Sequence, residues 1–262
     1  MKVGYSKRVL DVETPTLLAG THLDRKVHND TQNLELHSMS FETDTTRIHF
    51  VTVDILGIDA NIVKDVQYMF PNDHLIIHAT HTLHGPGGLW MPNHPKLKDH
   101  ESLLKPFNAY QTYLLKDNLV QVIQASISDL SECQSISQST LPQTPNPLIA
   151  FEFKTKDKTQ LFIHQRYNPQ MIPETDTHLH PGHMETLRNQ TTMYAGVVAC
   201  CGDIKQDINP QLPTLTFEPI QDFEITVDDN IIRLGNIDFI TLPHQAKDEA
   251  HNYIGWVNDY WI

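Results

Sequence analysis

The short apolar run Leu75-Ile76-Ile77 passes directly into His78-Ala-Thr-His81-Thr-Leu-His84 and then into Gly85-Pro-Gly-Gly88. An apolar run bounded by a glycine-proline turn reads as a strand that stops abruptly. Its histidines then stand at the rim of a sheet, where ligands of α/β proteins gather. In an extended strand Ile77, Ala79 and His81 share one face, and His78 and Thr80 share the other. His81 and His84 are spaced loosely enough for one metal ion, although two histidines alone are a weak signal. The glycines are not a phosphate loop, because no Gly-Lys-Ser/Thr follows them.

Extended segments are expected at 47–54, at 75–81, through Ile149, Phe151 and Phe153, and at 160–167. The run 197–201 is short and apolar, in the style of a strand covered on both faces. Segments 231–234 and 237–242 flank Gly235-Asn236, a two-residue hairpin signal. Helical spacing runs through Ile58, Ile62, Val66 and Met69, and again from Phe107 through Tyr110, Leu114, Leu119, Val122 and Ile127. Pro106 is placed at the start of that second helix, with Tyr110 and Tyr113 as core and boundary residues. The proline-bearing stretch 137–147 reads as a loop. Strands and helices mix on both sides of it, so the expectation is a single domain over residues 1–262. Its class is α/β, with mixed β-sheets and flanking helices, since the alternation is too irregular to dictate a doubly wound parallel sheet.

The balance of 19 basic against 32 acidic side chains, a formal net charge of −13, argues against nucleic-acid binding, which needs a basic surface. It also disfavours docking on anionic lipid. No stretch approaches the ~18 apolar residues of a transmembrane segment, and the charged N-terminus lacks the apolar core of a signal peptide. Cys133, Cys200 and Cys201 read as reduced thiols rather than a disulfide framework, which suggests a cytoplasmic chain. Sixteen histidines support metal chemistry or pH sensing as readily as they fill surface and capping positions.

The segment ATHTLHGPGG resembles the THTHSGPGG signature of the neutral/alkaline non-lysosomal ceramidases, zinc-dependent amidases that hydrolyse the N-acyl bond of ceramide. Further similarities follow in order. Val3-Gly4-Tyr5 through Glu13-Thr14-Pro15 is similar to the family's opening "vG…dITPp", and Leu18-Ala19-Gly20 follows it. Val27-His28-Asn29-Asp30 resembles "gihD", and Phe50-Val51-Thr52-Val53-Asp54 resembles "ivsvD". Val198-Ala199-Cys200-Cys201-Gly202-Asp203-Ile204 is similar to "nGaaGDi". The stretch from Leu234-Gly235-Asn236-Ile237 to Leu242-Pro243 resembles "iGdlaivglPgE", and 255–260 resembles "gyaNdy".

The resemblance implies the family's catalytic fold, trimmed at its C-terminus, and a zinc site of two histidines, a glutamate and a tyrosine. Carried over residue by residue, the first ligand position is kept as His81. The signature's second histidine becomes Leu83, and His84 stands where the family has serine. The second ligand position becomes Asn168, within His164-Gln165-Arg166-Tyr167-Asn168-Pro169. The glutamate becomes Gln245, and the ligand tyrosine lies beyond Ile262. Asparagine and glutamine offer neutral carbonyl oxygens, poor partners for zinc beside imidazole or carboxylate. Asp54 either orients a histidine from a strand end or caps the following helix. His84 and Asp54 are the expected catalytic groups, His81 the expected metal ligand, and Gly87, Gly88, Asn168 and Gln245 the expected lining of a pocket for a small-molecule or lipid-like amide.

Three functions follow. The first is a diverged ceramidase-like protein with an eroded zinc site, repurposed as a ligand-binding form or pseudoenzyme. The second is an active metal-dependent amide hydrolase using His81 with substitute histidines, His178, His180 and His183 among them. The third is a non-catalytic, self-associating subunit. For it, the terminal cluster Trp256, Tyr260, Trp261 and Ile262 either packs into its own groove or docks on a second copy, making a homo-oligomer.

Overall fold

The structure is a computed structural model that describes residues 1–20, 22–28, 34–80, 82–91, 101–141, 148–165, 178–179, 188, 195–200, 214–228, 231–241 and 255–256. In chain order its first elements are β1 (Lys2–Val9), β2 (Thr16–Leu17), β3 (Lys26–Val27), β4 (Glu35–Glu42), β5 (Arg47–Val53), α1 (Ala60–Met69), β6 (His74–Ala79), α2 (Glu101–Leu104) and α3 (Ala109–Ser128). There follow β7 (Ser131–Glu132), β8 (Ser135–Leu141), β9 (Leu148–Lys154), β10 (Thr159–Gln165), β11 (Ala195–Cys200), β12 (Glu218–Pro219), β13 (Ile225–Asp228), β14 (Ile231–Leu234), β15 (Ile237–Thr241) and β16 (Gly255–Trp256).

The first sheet has the order β6-β5-β4-β1-β7 and the second β11-β10-β9-β8-β12. In the first, β1, β4 and β5 pair antiparallel, and β7 adds antiparallel beside β1. Only β5 and β6 run parallel, and α1 lies in the crossover that a parallel pair requires. The second sheet repeats this pattern strand for strand: β8, β9 and β10 antiparallel, β10 and β11 parallel, β12 antiparallel beside β8. A third sheet, β13-β14-β15-β16, carries the Gly235-Asn236 hairpin. Gly235 has φ +59°, as the first position of a type II′ turn requires.

Alternation along the strands gives the first sheet two different faces. Met39, Phe41, Ile48, Phe50 and Ile76 share a core with Phe151, Phe153 and Phe162 of the second sheet. Phe41 meets Phe153 with ring centroids 5.1 Å apart, and Phe50 meets Phe162 at 5.2 Å, both edge-on, the arrangement that aromatic quadrupoles favour. On the other face Leu36, Val51, Val53, Leu75 and Ile77 pack with Ile62, Val63 and Val66 of α1 and with Leu115, Leu119, Val122 and Ile123 of α3. The helix α3 sits unusually close to β1. A Cβ on Gly4 would lie 2.2 Å from the Ser126 carbonyl oxygen, so glycine is required by the approach of two backbones.

The expected strands at 47–54, 75–81, 149–153 and 160–167 correspond to β5, β6, β9 and β10, and the hairpin stands as read. Three readings are corrected. Residues 137–141, read as loop, belong to β8, where small hydroxyls (Ser137 and Ser139) fill the buried positions that an apolar pattern would have marked. The helix after Pro106 begins at Ala109, because Asn108 caps it by accepting from the Tyr110 and Gln111 N–H groups. Tyr110 and Tyr113 are exposed and stack on each other, while the buried stripe runs through Gln111, Leu115, Asn118, Leu119, Val122 and Ser126. Its polar members hid it: Gln111 Oε1 accepts from the Glu13 N–H, and Asn118 Oδ1 accepts from Arg8 Nε and the Asp11 N–H.

Candidate functional site

The layer between the two sheets changes chemistry along its length. One row across the first sheet is Tyr5, Met39, Phe50 and Ile76, and the next is Lys7, His37, Thr52 and His78. Next come Glu35, the first residue of β4, and Asp54 and Thr80, just past β5 and β6, with the Asp54 N–H donating to the Glu35 carbonyl at 3.1 Å and the Thr80 N–H to the Val53 carbonyl at 2.9 Å. The face therefore passes from apolar to polar to charged toward the carboxyl ends of the parallel pair β5 and β6. Such ends are where open α/β sheets take ligands.

Asp54 is fully buried, and both its oxygens are doubly engaged. Oδ2 accepts from the Glu35 N–H at 2.8 Å and from Arg188 Nη1 at 2.5 Å. Oδ1 accepts from Thr80 Oγ1 at 3.1 Å and from Arg188 Nη2 at 3.0 Å. The guanidinium thus grips the carboxylate two-pronged, the stronger geometry for such pairs. Arg188 Nε also lies 3.7 Å from Glu35 Oε2.

Glu35 and His37 continue the chain inward. His37 Nε2 is 2.8 Å from Glu35 Oε2, and His37 Nδ1 is 2.7 Å from the Tyr5 hydroxyl. Burial pushes the Glu35 carboxyl up, but the His37 hydrogen bond, with the charges of His37, Arg188 and Lys7, outweighs it and brings the carboxyl down to about 2. Burial first, and then the Arg188 charge, push the His37 imidazole below its usual range. At neutral pH His37 is therefore neutral, and its N–H, with the charges of Arg188 and Lys7, keeps Glu35 ionised there. An ionised carboxylate only accepts, so the proton sits on His37 Nε2, and Nδ1 accepts from the tyrosine.

His84 is buried, and its Nδ1 lies 3.1 Å from the His178 carbonyl oxygen. A carbonyl only accepts, so Nδ1 carries a hydrogen. Its loop is tightly built. Gly87 and Gly88 are buried and donate their N–H groups to the Leu17 and Leu104 carbonyls at 2.7 and 2.8 Å. A Cβ at Gly88, where φ is +80°, would sit 2.7 Å from the Pro106 carbonyl oxygen.

Thus Asp54 and His84 stand in described structure at or just beyond the strand ends, while His81, Asn168 and Gln245 lie outside the described residues. The helix after Asp54 is capped by Asp59, whose Oδ1 accepts from the Asn61 N–H, so the capping alternative for Asp54 is set aside. His178 is exposed and Leu179 buried, and His180, His183 and Cys201 lie outside the described residues. Among the described residues no group of three or more His, Cys, Asp or Glu could hold a metal ion. No described helix is long and apolar enough to cross a membrane. The sequence reading missed Tyr5, Glu35, His37 and Arg188 as parts of the site. Glu35 and His37 alternate on a strand with buried neighbours, a signal that could have been used, but Arg188 lies 134 residues from its partner.

Solved structures similar to this chain include a ceramidase complexed with C2 and the neutral ceramidase from Pseudomonas aeruginosa. Each aligns with a TM-score of 0.62 over 76% of this chain at 13% sequence identity, covering 37% and 38% of the respective solved chains. The chain thus spans well under half the length of either, and at that identity the likeness is one of fold. No protein-family model matches the chain, and no curated protein does. The architecture is the ceramidase-like α/β fold that the sequence motifs pointed to.

Proposed function

We propose that this ceramidase-like chain, read as a single domain over residues 1–262, is a repurposed ligand-binding or pseudoenzyme form of a zinc amidohydrolase. Its ligand is a small-molecule or lipid-like amide taken at the carboxyl ends of β5 and β6. One observation carries the reading: Asp54 already accepts four hydrogen bonds, from Glu35, Thr80 and both prongs of Arg188. A carboxylate has about four lone-pair sites. With all of them filled, Asp54 has none left to accept a proton as a general base or to orient a metal-binding imidazole. Its role in this reading is to anchor the strand ends.

The donor set supports the same reading. At the positions that the resemblance gives to zinc ligands, His81 keeps an imidazole, whereas Asn168 and Gln245 supply neutral amides. Those residues do not fit the four-ligand zinc that the fold implies. They do suit a pocket that hydrogen-bonds an amide, with Asn168 and Gln245 as its polar lining; the Gly87 and Gly88 N–H groups are already taken by the Leu17 and Leu104 carbonyls. The reduced-thiol reading of the three cysteines makes the cytoplasm part of the same proposal.

One observation favours a second reading, an active metal-dependent amide hydrolase using His81 with substitute histidines. His84 donates Nδ1–H to a backbone carbonyl, the way metal-binding histidines are usually held.

Elemental analysis of dialysed protein separates the two. The first reading expects well under one zinc per chain and N-acyl amide hydrolysis equal to a protein-free control. It also expects saturable binding of a short-chain N-acyl amide by calorimetry. Stoichiometric zinc that survives dialysis and disappears in both His81→Ala and His84→Ala would overturn it in favour of the second.

A further inference from the structure

We infer that Tyr5, His37 and Glu35 are positioning residues for the strand-end site, fixing Arg188 and through it Asp54 by two hydrogen bonds and an ion pair that lead out from the edge of the apolar core. The inference rests on the reading that the carboxyl ends of β5 and β6 carry the site. It adds how that site is held, and by which residues.

Donors from both sides converge on Glu35, and Arg188 bridges the two carboxylates. Tyr5 Oη–H donates to His37 Nδ1 at 2.7 Å, and His37 Nε2–H donates to Glu35 Oε2 at 2.8 Å. The same Oε2 faces Arg188 Nε at 3.7 Å. Arg188 then donates to both oxygens of Asp54, whose remaining acceptors take Thr80 and the Glu35 N–H. The side chains of His37, Glu35, Arg188 and Asp54 are 6%, 20%, 13% and 0% exposed, so water does little to screen or replace these contacts. Of the two neutral tautomers only this one pairs both ring nitrogens. A hydrogen on His37 Nδ1 would leave Nε2 with a lone pair facing a carboxylate. A second hydrogen would turn Tyr5 from donor to acceptor and place a charge beside Arg188.

The anchored residue matters because of where it leads. Arg188 is fastened to Asp54 at the end of β5. Earlier in the same stretch, the His178 carbonyl is fastened to His84, and Leu179 is buried in the helix-side core. Residues 178 and 188 are therefore both tied to the strand-end region, and the Tyr5–His37–Glu35 chain sets the orientation of the second tie. Asp54 cannot turn toward a ligand unless Arg188 moves, and Arg188 cannot move without leaving Glu35. The three inner residues contribute orientation without touching a ligand.

The test reads the network by NMR on the full chain. The ¹⁵N shifts of His37 should report a neutral ring protonated on Nε2. The solvent exchange of the Arg188 Nε–H, assigned by its loss in Arg188→Lys, should quicken by about tenfold in Glu35→Gln, where the carboxylate charge facing it is lost. His37→Leu should do the same, whereas His37→Gln should restore slow exchange, because glutamine can accept from Tyr5 and donate to Glu35 together. A general loss of packing would not distinguish leucine from glutamine in this way. Should His37→Leu fail to fold, Tyr5→Phe removes one hydroxyl alone and is expected to raise the population of the His37 Nδ1–H tautomer. Unchanged Arg188 exchange in Glu35→Gln, or a wild-type His37 protonated on Nδ1, would overturn the inference. Calorimetry with a short-chain N-acyl amide on the same variants reads the function separately. If the wild type binds none, the proposed function fails, and the exchange data still decide the network.

Discussion

Arg188 and Asp54, 134 residues apart in the chain, form a two-pronged ion pair with Nη1 2.5 Å from Oδ2 and Nη2 3.0 Å from Oδ1. The carboxylate has no solvent exposure and the guanidinium side chain 13%. A pair so enclosed adds little net stability compared with an apolar pair, because both charges lose water. What it does impose is a strong penalty for losing one partner alone.

Arg188→Ala should therefore cost about 3–5 kcal/mol, the range for stranding a buried charge. Arg188→Lys should recover only part of this, since an ammonium cannot span both oxygens. The double variant Asp54→Asn with Arg188→Gln should lose clearly less than the sum of the two single variants. Urea denaturation of the four proteins measures it, and strict additivity would show that the two residues do not interact.

Acid sensitivity follows from the neighbouring groups. Glu35 is held at about 2 in the folded chain against an ordinary 4.5, so its contribution is complete above 4.5 and is lost as pH falls through 2. His37 and His49 lie below their ordinary 6.5, chiefly through burial. The unfolded chain binds their protons first, so stability falls as pH drops below 6.5 toward their folded values. The chain should be most stable above 6.5 and decline in two stages, the histidines first and Glu35 last. Denaturation midpoints across pH check this, with His37→Gln reducing the upper stage and Glu35→Gln the lower.

The approach of α3 to β1 gives a sharper prediction. A methyl group at residue 4 would sit 2.2 Å from the Ser126 carbonyl oxygen and 2.8 Å from the Leu130 nitrogen, both of them backbone. Neither can swing aside as a side-chain tip would, so Gly4→Ala should destabilise strongly, by about 1–3 kcal/mol or more, as overpacked cores do. A thermal midpoint equal to wild type would mean that helix and strand sit further apart than described.

The sequence made parts of this architecture legible, and the reasons are local. Arg47–Val53 and His74–Ala79 carry apolar or β-branched residues at most positions, and the turn that follows the second strand is spelled in glycine and proline. Buried faces built from polar residues were harder to see. Ser137 and Ser139 in β8 are buried hydroxyls, and Gln111 and Asn118 in α3 are buried while bonding to Glu13, Arg8 and Asp11, so no hydropathy pattern betrays them. The site divides likewise. Asp54 and His84 stand in recognisable motifs, but Arg188 reaches Asp54 only through the tertiary fold, and nothing in its own neighbours announces the partner.

A second three-residue chain invites confusion with a catalytic triad. Ser40 Oγ lies 2.7 Å from His49 Nδ1, and His49 Nε2 lies 3.0 Å from Asp73 Oδ2. A nucleophilic serine needs such a base, and the base needs such an orienting carboxylate. Access decides otherwise. Ser40 and His49 have no solvent exposure, and Ser40 Oγ is also 2.6 Å from the Ser126 hydroxyl of α3, which covers that face of the sheet. The hydroxyl ties helix to sheet, and no carbonyl substrate can reach it without unseating α3. A fluorophosphonate probe should therefore leave Ser40 unmodified in the folded protein, as mass spectrometry of the Ser40 peptide would read. Ser40→Ala should lower stability by about 1–3 kcal/mol, because it leaves His49 and Ser126 short of a buried partner. Labelling of Ser40 under native conditions, absent from a His49→Gln variant, would instead make this seam a hydrolytic site.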